Sequence, residues 1–215
     1  MKLLILGATG RLGKQVLKQA LEYGYNTVVL ARKIERINEH PNLTLIEGDV
    51  TSQKDLHQAL QGCTHVINCL NVSRRSDFPW AKLRTPPTLL SDTMQILLET
   101  ANPKELEKLV VCSAWGVAET RKEIPGWFRW FIDNSNIGIA YRDHEKQEEI
   151  IEGSGFKYTI VRPVGLTNKK LALTSDSINI TSRPRLFISR SSVARYMLDA
   201  LQNENLNGLK PIIWN

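Results

Sequence analysis

The sequence lacks the features that define several large classes of protein. It has only three cysteines in 215 residues, with no C-x-x-C pair, so we predict neither a disulfide framework nor a metal site. Cys69 and Cys112 lie in apolar runs, where a buried, unreactive thiol is expected.

No apolar run approaches the ~20 residues of a transmembrane helix, and a strand pattern starting at Lys2 leaves no room for a signal peptide. We therefore expect a cytoplasmic protein with no membrane partner.

The chain has fewer acidic than basic residues. The chain carries 28 basic and 22 acidic residues, a net charge of +6, which favours an anionic partner. The basic residues form only short clusters, such as Arg32-Lys33, Arg74-Arg75 and Lys169-Lys170, and no long run. We therefore rank a phosphorylated small molecule above nucleic acid as the partner.

Short apolar runs alternate with helical patterns along the whole chain. Strands that are apolar throughout, such as Leu3–Leu6 and Thr27–Ala31, indicate burial on both faces, as in a parallel sheet covered by helices. The sequence therefore predicts one α/β domain over residues 1–215, built on a doubly wound, mostly parallel sheet. Pro211–Ile213 is predicted as an edge strand. Residues 164–190 are predicted as an irregular, small C-terminal lobe on the substrate side.

The first strand pattern runs directly into the glycine-rich sequence Gly7-Ala8-Thr9-Gly10-Arg11-Leu12-Gly13, and a helical pattern follows. Glycines there let the backbone approach a pyrophosphate and let the helix pack closely on the strand. The helix N-terminus offers unpaired N–H groups to the phosphates. This strand–loop–helix context predicts a Rossmann-type dinucleotide site on Gly7, Thr9, Gly10, Arg11, Leu12 and Gly13. The alternative is an ordinary glycine-rich turn.

The end of the second strand bears on which nicotinamide cofactor is bound. NAD sites carry an acidic residue there for the ribose 2′-hydroxyl, whereas NADP sites carry an arginine for the 2′-phosphate. This strand ends in Ala31-Arg32-Lys33, and Arg11 adds a second guanidinium. We therefore predict NADP(H) as the cofactor, with Arg32 as its phosphate ligand. The alternative is that Arg32 and Lys33 are a solvated surface pair.

Several stretches resemble one family. The chain is similar to atypical short-chain dehydrogenase/reductases, especially NmrA-like proteins and biliverdin reductase B/flavin reductases. The resemblance covers nearly the whole chain and rests on residues 4–13, Leu30-Ala31-Arg32, residues 47–50, 108–113, Asp143-His144, residues 154–163 and 188–194.

The resemblance implies roles for individual residues. Asp49 and the Val50 backbone would hold the adenine, and Cys69, Leu70 and Asn71 would line the path to the nicotinamide. Pro163 and Val164 would hold the nicotinamide carboxamide. Ser113 would face the nicotinamide and the acceptor as a catalytic residue, with His144 as a second candidate. The alternatives are that Asp49 only caps a turn and that Ser113 only satisfies local backbone.

The chain departs from the family pattern at two places. The usual Tyr-x-x-x-Lys is absent, because Tyr141 is followed by Glu145 at that spacing and Lys146 comes one residue later. Gly165 lies near the position where the flavin reductases carry a histidine. The charged stretch Arg142–Glu149 is predicted as a solvated helix face, although it contains His144.

Seven of the ten tryptophans and phenylalanines lie between residues 78 and 131. They could wall a pocket for a planar acceptor, although core or dimer packing explains the spacing equally well.

The sequence predicts an NADP(H)-dependent oxidoreductase that passes hydride to a conjugated acceptor such as a flavin, quinone or tetrapyrrole. The alternative is a non-catalytic NmrA-like redox sensor. Monomer and homodimer remain open.

Overall fold

The computed structural model describes residues 1–169, 175–176, 178 and 184–215. The described residues form ten strands: β1 (Lys2–Leu6), β2 (Asn26–Ala31), β3 (Leu43–Glu47), β4 (His65–Asn68), β5 (Lys108–Cys112), β6 (Tyr158–Pro163), β7 (Gly165–Thr167), β8 (Ser175–Asp176), β9 (Phe187–Ser189) and β10 (Ile212–Trp214). They also form six α-helices: α1 (Gly13–Glu22), α2 (Gln53–Leu60), α3 (Leu89–Thr100), α4 (Gly126–Asp133), α5 (Ile137–Glu152) and α6 (Arg190–Gln202).

The main sheet has the order β3-β2-β1-β4-β5-β6-β10-β8. All its neighbouring strands are parallel except β10 and β8, which are antiparallel. The predicted mostly parallel sheet is confirmed. The chain order reverses between β1 and β4, where Leu6 lies opposite Asn68. In open α/β sheets this switch point opens a crevice at the carboxyl ends of the strands.

The sheet is buried on both faces, as its apolar strands predict. On one face, Leu3 and Ile5 belong to a core cluster that includes Val16 of α1 and Met197 of α6. The other face is covered by α2, α3 and α5, and its core cluster contains Leu4 and Leu6 among others. Alternate side chains of β1 therefore enter different cores, so the doubly wound arrangement is confirmed. None of the helices among the described residues is long and apolar enough to cross a bilayer.

Two predictions near the end of the chain need correction. Strand β10 is not at the edge of the sheet, because it lies between β6 and β8. Residues 164–190 are not irregular throughout, because Gly165–Thr167 pairs in parallel with Phe187–Ser189 to form a second, two-stranded sheet. The rest of the predicted lobe falls partly on residues 170–174, 177 and 179–183, which lie outside the described residues.

Candidate cofactor and acceptor site

The glycine loop connects β1 to α1, and two of its glycines have no space for a side chain. Gly7 has φ +81°, and a Cβ on it would lie 2.8 Å from the carbonyl carbon of Cys69. A Cβ on Gly13 would lie 2.1 Å from the Gly7 carbonyl oxygen. The Gly10 N–H donates to that same oxygen at 2.9 Å. The glycines therefore allow the loop to turn tightly against the end of β4, as predicted.

The loop presents backbone to a ligand at the start of α1. Thr9, Gly10 and Arg11 are exposed, and no side chain caps the helix at Leu12. The N–H groups of Lys14 and Gln15 already donate to the Gly10 and Leu12 carbonyls. The groups offered to an anion are therefore the N–H groups from Arg11 to Gly13, together with the positive end of the helix dipole. A Cβ at Gly13 would collide with the backbone of Gly7 and Ala8, so this close packing depends on glycine. The resulting cradle suits the pyrophosphate of a dinucleotide.

Arg11 makes an ion pair that the sequence did not predict. Its Nη1 donates to Asp77 Oδ2 at 3.0 Å and its Nη2 to Asp77 Oδ1 at 2.8 Å. These hydrogen bonds hold the pKa of Asp77 below its ordinary value. Asp77 lies in the segment between β4 and α3, so the pair ties that segment to the glycine loop. Both side chains are exposed, and an exposed pair of this kind exchanges readily with a competing anion.

The ends of β2 and β3 bring Arg32, Asp49 and Val50 together. Asp49 Oδ1 accepts from the Thr51 N–H at 2.9 Å and from the Thr51 hydroxyl at 2.7 Å. The Thr51 N–H, and more weakly the charge of Arg32, lower the pKa of Asp49. The turn-capping role considered for Asp49 is thus present, and an adenine contact would use its other oxygen. The Arg32 side chain is exposed, free to approach a phosphate.

The residues predicted to line the crevice lie at or after the ends of β4 and β6. Cys69 is buried, and burial raises its pKa well above the ordinary value, so this thiol is inert as predicted. The Leu70 N–H donates to Asn68 Oδ1 at 3.0 Å, whereas Asn71 is exposed. Pro163, the last residue of β6, and Val164, which follows it, are both buried.

Ser113, directly after β5, belongs to a buried charged network. Its hydroxyl donates to Glu148 Oε1 at 2.5 Å. Arg162 of β6 donates to both oxygens of the same carboxylate, with Nε 3.1 Å from Oε1. The other side of the Arg162 guanidinium binds Glu119 through two hydrogen bonds of 2.5 and 3.2 Å, which lower the pKa of Glu119 to about 2.

Glu148 and Arg162 are site residues that the sequence analysis missed. The available signal was an arginine inside the apolar strand Tyr158–Pro163, because a buried guanidinium requires a carboxylate partner. The observed geometry also bears on Ser113. Its proton is directed at Glu148, so the hydroxyl offers lone pairs to any further partner unless it rotates.

The prediction that Arg142–Glu149 is a solvated helix face is wrong for half of that stretch. Four of its polar side chains are buried on one face of α5: Asp143, His144, Gln147 and Glu148. Asp143, Gln147 and Glu148 meet hydrogen-bond partners from distant segments. Asp143, for example, accepts hydrogen bonds from the Leu90 N–H at 2.7 Å and the Ser91 hydroxyl at 2.6 Å, and so caps α3.

His144 is fully buried, and burial lowers its pKa to about 4. It is therefore a neutral imidazole at pH 7, and its Nδ1 has no hydrogen-bond partner among the described residues. Tyr141 donates its hydroxyl proton to the Trp115 carbonyl at 3.2 Å, and burial raises its pKa. A phenol committed to a backbone carbonyl is poorly placed to protonate a substrate.

The structure gives a physical reason for Gly165. A Cβ at this position would lie 2.7 Å from the Leu186 carbonyl oxygen, because β7 pairs there with β9. The histidine of the flavin reductases therefore has no equivalent in this backbone.

Residues 7–204 match a protein family described as NAD(P)H-binding. The photosystem II assembly factor Ycf39 of Trieres chinensis is 36% identical over 217 residues, which cover 94% of this chain and 60% of that protein. The chain thus spans less than two thirds of the length of that relative.

Solved structures share the fold over the full length of the chain. A short-chain dehydrogenase/reductase from Veillonella parvula in complex with NADP has a TM-score of 0.79 at 20% identity, covering 100% of this chain and 94% of that one. The anaerobillin reductase ChuY from Escherichia coli has a TM-score of 0.80 at 15% identity, covering 100% and 97%. At these identities the similarity shows a common Rossmann-type fold.

Proposed function

Because the chain belongs to the NAD(P)H-binding family, we propose that it is an NADP(H)-dependent reductase that passes hydride to a planar conjugated acceptor. The observation that carries the proposal is the cradle in which Gly13 packs against Gly7 below the uncapped start of α1. When bound, the reduced nicotinamide supplies the hydride.

Different residues around the crevice would bind different parts of the cofactor. The backbone from Gly7 to Gly13 would hold the pyrophosphate, with Thr9, Arg11 and Leu12 beside it, and Arg32 would hold the 2′-phosphate. Asp49 and Val50 would seat the adenine. Cys69, Leu70 and Asn71 would line one wall of the crevice, and Pro163 and Val164 would orient the nicotinamide end.

The acceptor class follows from the environment of Tyr141 and Ser113. Reduction of an isolated ketone builds alkoxide charge on one oxygen, where a positioned proton donor contributes ~10²–10⁴-fold. Tyr141 is bonded to the Trp115 carbonyl, and Glu145 occupies the usual lysine spacing. A flavin, quinone or tetrapyrrole spreads the developing charge over a ring system, so orientation and exclusion of water contribute more of the rate. The name of the structurally similar anaerobillin reductase supports including a tetrapyrrole in this class.

Arg32→Ala is expected to weaken NADP binding about 10- to 100-fold and NAD binding much less, because a charge-assisted hydrogen bond is worth ~1.5–3 kcal/mol. Calorimetric titration of both cofactors measures the difference. Lys33→Ala is the matched control, and we expect a smaller loss from it because Lys33 lacks the planar fork of an arginine. Equal losses of NADP and NAD affinity in Arg32→Ala would show that Arg32 does not bind the 2′-phosphate.

The acceptor is tested by NADPH oxidation with a flavin, a quinone, a tetrapyrrole and a simple ketone. We expect turnover with at least one conjugated acceptor and little with the ketone. Tyr141→Phe should change kcat/KM by less than about 3-fold. Ser113→Ala should lower it about 10-fold or more, because the Ser113 hydroxyl, whose proton is directed at Glu148, would accept a hydrogen bond from an N–H of a flavin or tetrapyrrole, or rotate to donate one to the bound acceptor. NADPH titration of both variants checks that the cofactor site is intact. Robust ketone reduction, or a large loss in Tyr141→Phe, would contradict the mechanism.

A second function has its own support. The relative from Trieres chinensis is named as an assembly factor, which favours a non-catalytic protein that binds NADP(H) and acts on a partner protein, as proposed for an NmrA-like sensor. Tight NADPH binding without turnover of any acceptor in the panel would decide for this alternative.

A further inference from the structure

The segments after β4 and β5 carry an exposed aromatic surface. Four side chains that the sequence analysis considered as pocket walls are instead open to solvent, with exposed fractions of 61% for Phe78, 42% for Trp80, 62% for Trp127 and 55% for Trp130. We call these four residues the aromatic patch. None of the four residues belongs to the proposed cofactor site, and the inference drawn from them does not rest on the proposed reductase activity.

The aromatic patch is one continuous surface. The ring centroids of Phe78 and Trp80 are 5.3 Å apart, and Trp80 is 5.8 Å from Phe131 of α4. Phe131 in turn lies 6.4 Å from Trp127 and 5.6 Å from Trp130. Phe131 thus forms the half-buried centre of a surface whose outer rings have no cover among the described residues.

The surface has a defined backbone rather than a loose loop. Phe78 and Trp80 lie at the tip of a short hairpin, in which the Arg75 N–H donates to the Lys82 carbonyl at 3.0 Å. The Trp80 Nε1 donates to the Asn134 carbonyl at 2.6 Å, which fixes the tip beside the end of α4. In α4 itself, Ile132 is buried while Trp127 and Trp130 point outward. The rings therefore project from anchored backbone.

The charges beside the aromatic patch are mostly positive. The hairpin stem carries four basic residues, Arg74, Arg75, Lys82 and Arg84, against the single acid Asp77, which is neutralised by Arg11. In α4, Asp133 is paired with Arg121, whereas Arg129 is exposed and forms no ion pair with a described residue. A partner of negative charge is therefore favoured.

We propose that the aromatic patch and its basic stem dock this protein on the surface of an anionic lipid bilayer. Tryptophan is suited to the interface because its ring is apolar and its N–H polar, and basic residues beside it are attracted to anionic headgroups. A second copy of the chain fits less well, because a two-fold contact would bring two basic stems together. Projecting rings can enter a bilayer without a complementary pocket.

The test is sedimentation of the full chain with phosphatidylcholine vesicles that contain or lack phosphatidylglycerol. We expect binding that requires phosphatidylglycerol and weakens with salt. Trp127→Ser with Trp130→Ser should weaken partitioning about 10-fold or more, given the apolar area removed. Lys82→Gln should weaken it about 5-fold, since each basic residue near the surface contributes ~1 kcal/mol.

Two matched controls lie in loops that lead into the amino ends of β2 and β5, whereas the patch follows the carboxyl ends of β4 and β5. Tyr23 is 43% exposed after the end of α1, so Tyr23→Ser removes an exposed ring without touching the patch. Lys104→Gln removes an exposed charge before β5. Both variants should bind vesicles like the wild type.

A second readout is quenching of tryptophan fluorescence by lipids with a doxyl group on the acyl chain. Trp115 and Trp214 are buried at 6% and 3% exposure, so quenching should fall strongly in the Trp127→Ser and Trp130→Ser double variant, in which Trp80 is the one exposed tryptophan left. Absence of vesicle binding by the wild type, or binding unaffected by the patch variants, overturns the proposal. So does a concentration-dependent dimer that needs Trp127 and Trp130 and forms without vesicles.

Discussion

Arg162→Met is expected to lower the free energy of unfolding by about 3–5 kcal/mol, because it leaves the Glu148 carboxylate buried without its cation. The side chains of Arg162 and Glu148 are 1% and 2% exposed, so water cannot take the place of the guanidinium. The Ser113 hydroxyl would remain as the one described side chain that donates to Glu148. Urea denaturation followed by circular dichroism measures the loss.

Two variants make this prediction specific. Glu119→Gln removes the exposed partner of the same guanidinium, at 59% exposure, and should cost at most about 1 kcal/mol. Glu148→Leu combined with Arg162→Met removes both buried charges, and should recover part of the stability lost in the single variant. If Arg162→Met costs no more than Glu119→Gln, solvent reaches Glu148 and the network is not a buried one.

Gly13→Ala is expected to reduce NADPH affinity about 100-fold, because a Cβ placed 2.1 Å from the Gly7 carbonyl oxygen forces the loop and the start of α1 apart. Overpacking of this kind costs ~1–3 kcal/mol, and here the displaced atoms belong to the loop that is proposed to hold the phosphates. Calorimetric titration measures affinity, and thermal unfolding of the unliganded variant measures how much of the cost falls on the fold.

Gly126→Ala is the matched control. Gly126 is the first residue of α4, and a Cβ on it would meet no atom within 4 Å. Affinity and thermal stability should both stay at wild-type values. Wild-type affinity in Gly13→Ala would mean that the close packing of Gly13 on Gly7 is not needed for the site.

The sheet and the glycine loop were predictable because their signals are local. Runs such as Leu3–Leu6 are buried on both faces only in a covered parallel sheet, and the tight turn at Gly7 follows from residues within the same loop. The position of β10 was not predictable from its own residues. It depends on β8, a strand of two residues whose pairing with Ile213 and Trp214 leaves no pattern in the sequence.

The burial of the polar face of α5 could not be predicted from the sequence pattern. Charged residues at helical spacing indicate solvent exposure unless partners are known, and here the partners come from β4, β6, the residue after β5 and the start of α3. Asp143 caps a helix that begins more than fifty residues earlier, and Glu148 meets Arg162 of β6 on the face of the sheet that α5 covers. Such pairs are fixed by tertiary packing. The contact between Arg11 and Asp77 joins two exposed loops, and the sequence of neither loop predicts the contact.

That contact has a thermodynamic consequence. A phosphate that recruits the Arg11 guanidinium competes with Asp77, and therefore with the attachment of the hairpin to the glycine loop. Linked equilibria are reciprocal, so whatever stabilises the hairpin in its attached position weakens the hold of Arg11 on a phosphate by the same factor. Because both side chains are exposed, the coupling free energy is at most about 1 kcal/mol, or about 5-fold in affinity. The Arg11 side chain thus takes part both in the proposed phosphate site and in the attachment of the exposed hairpin.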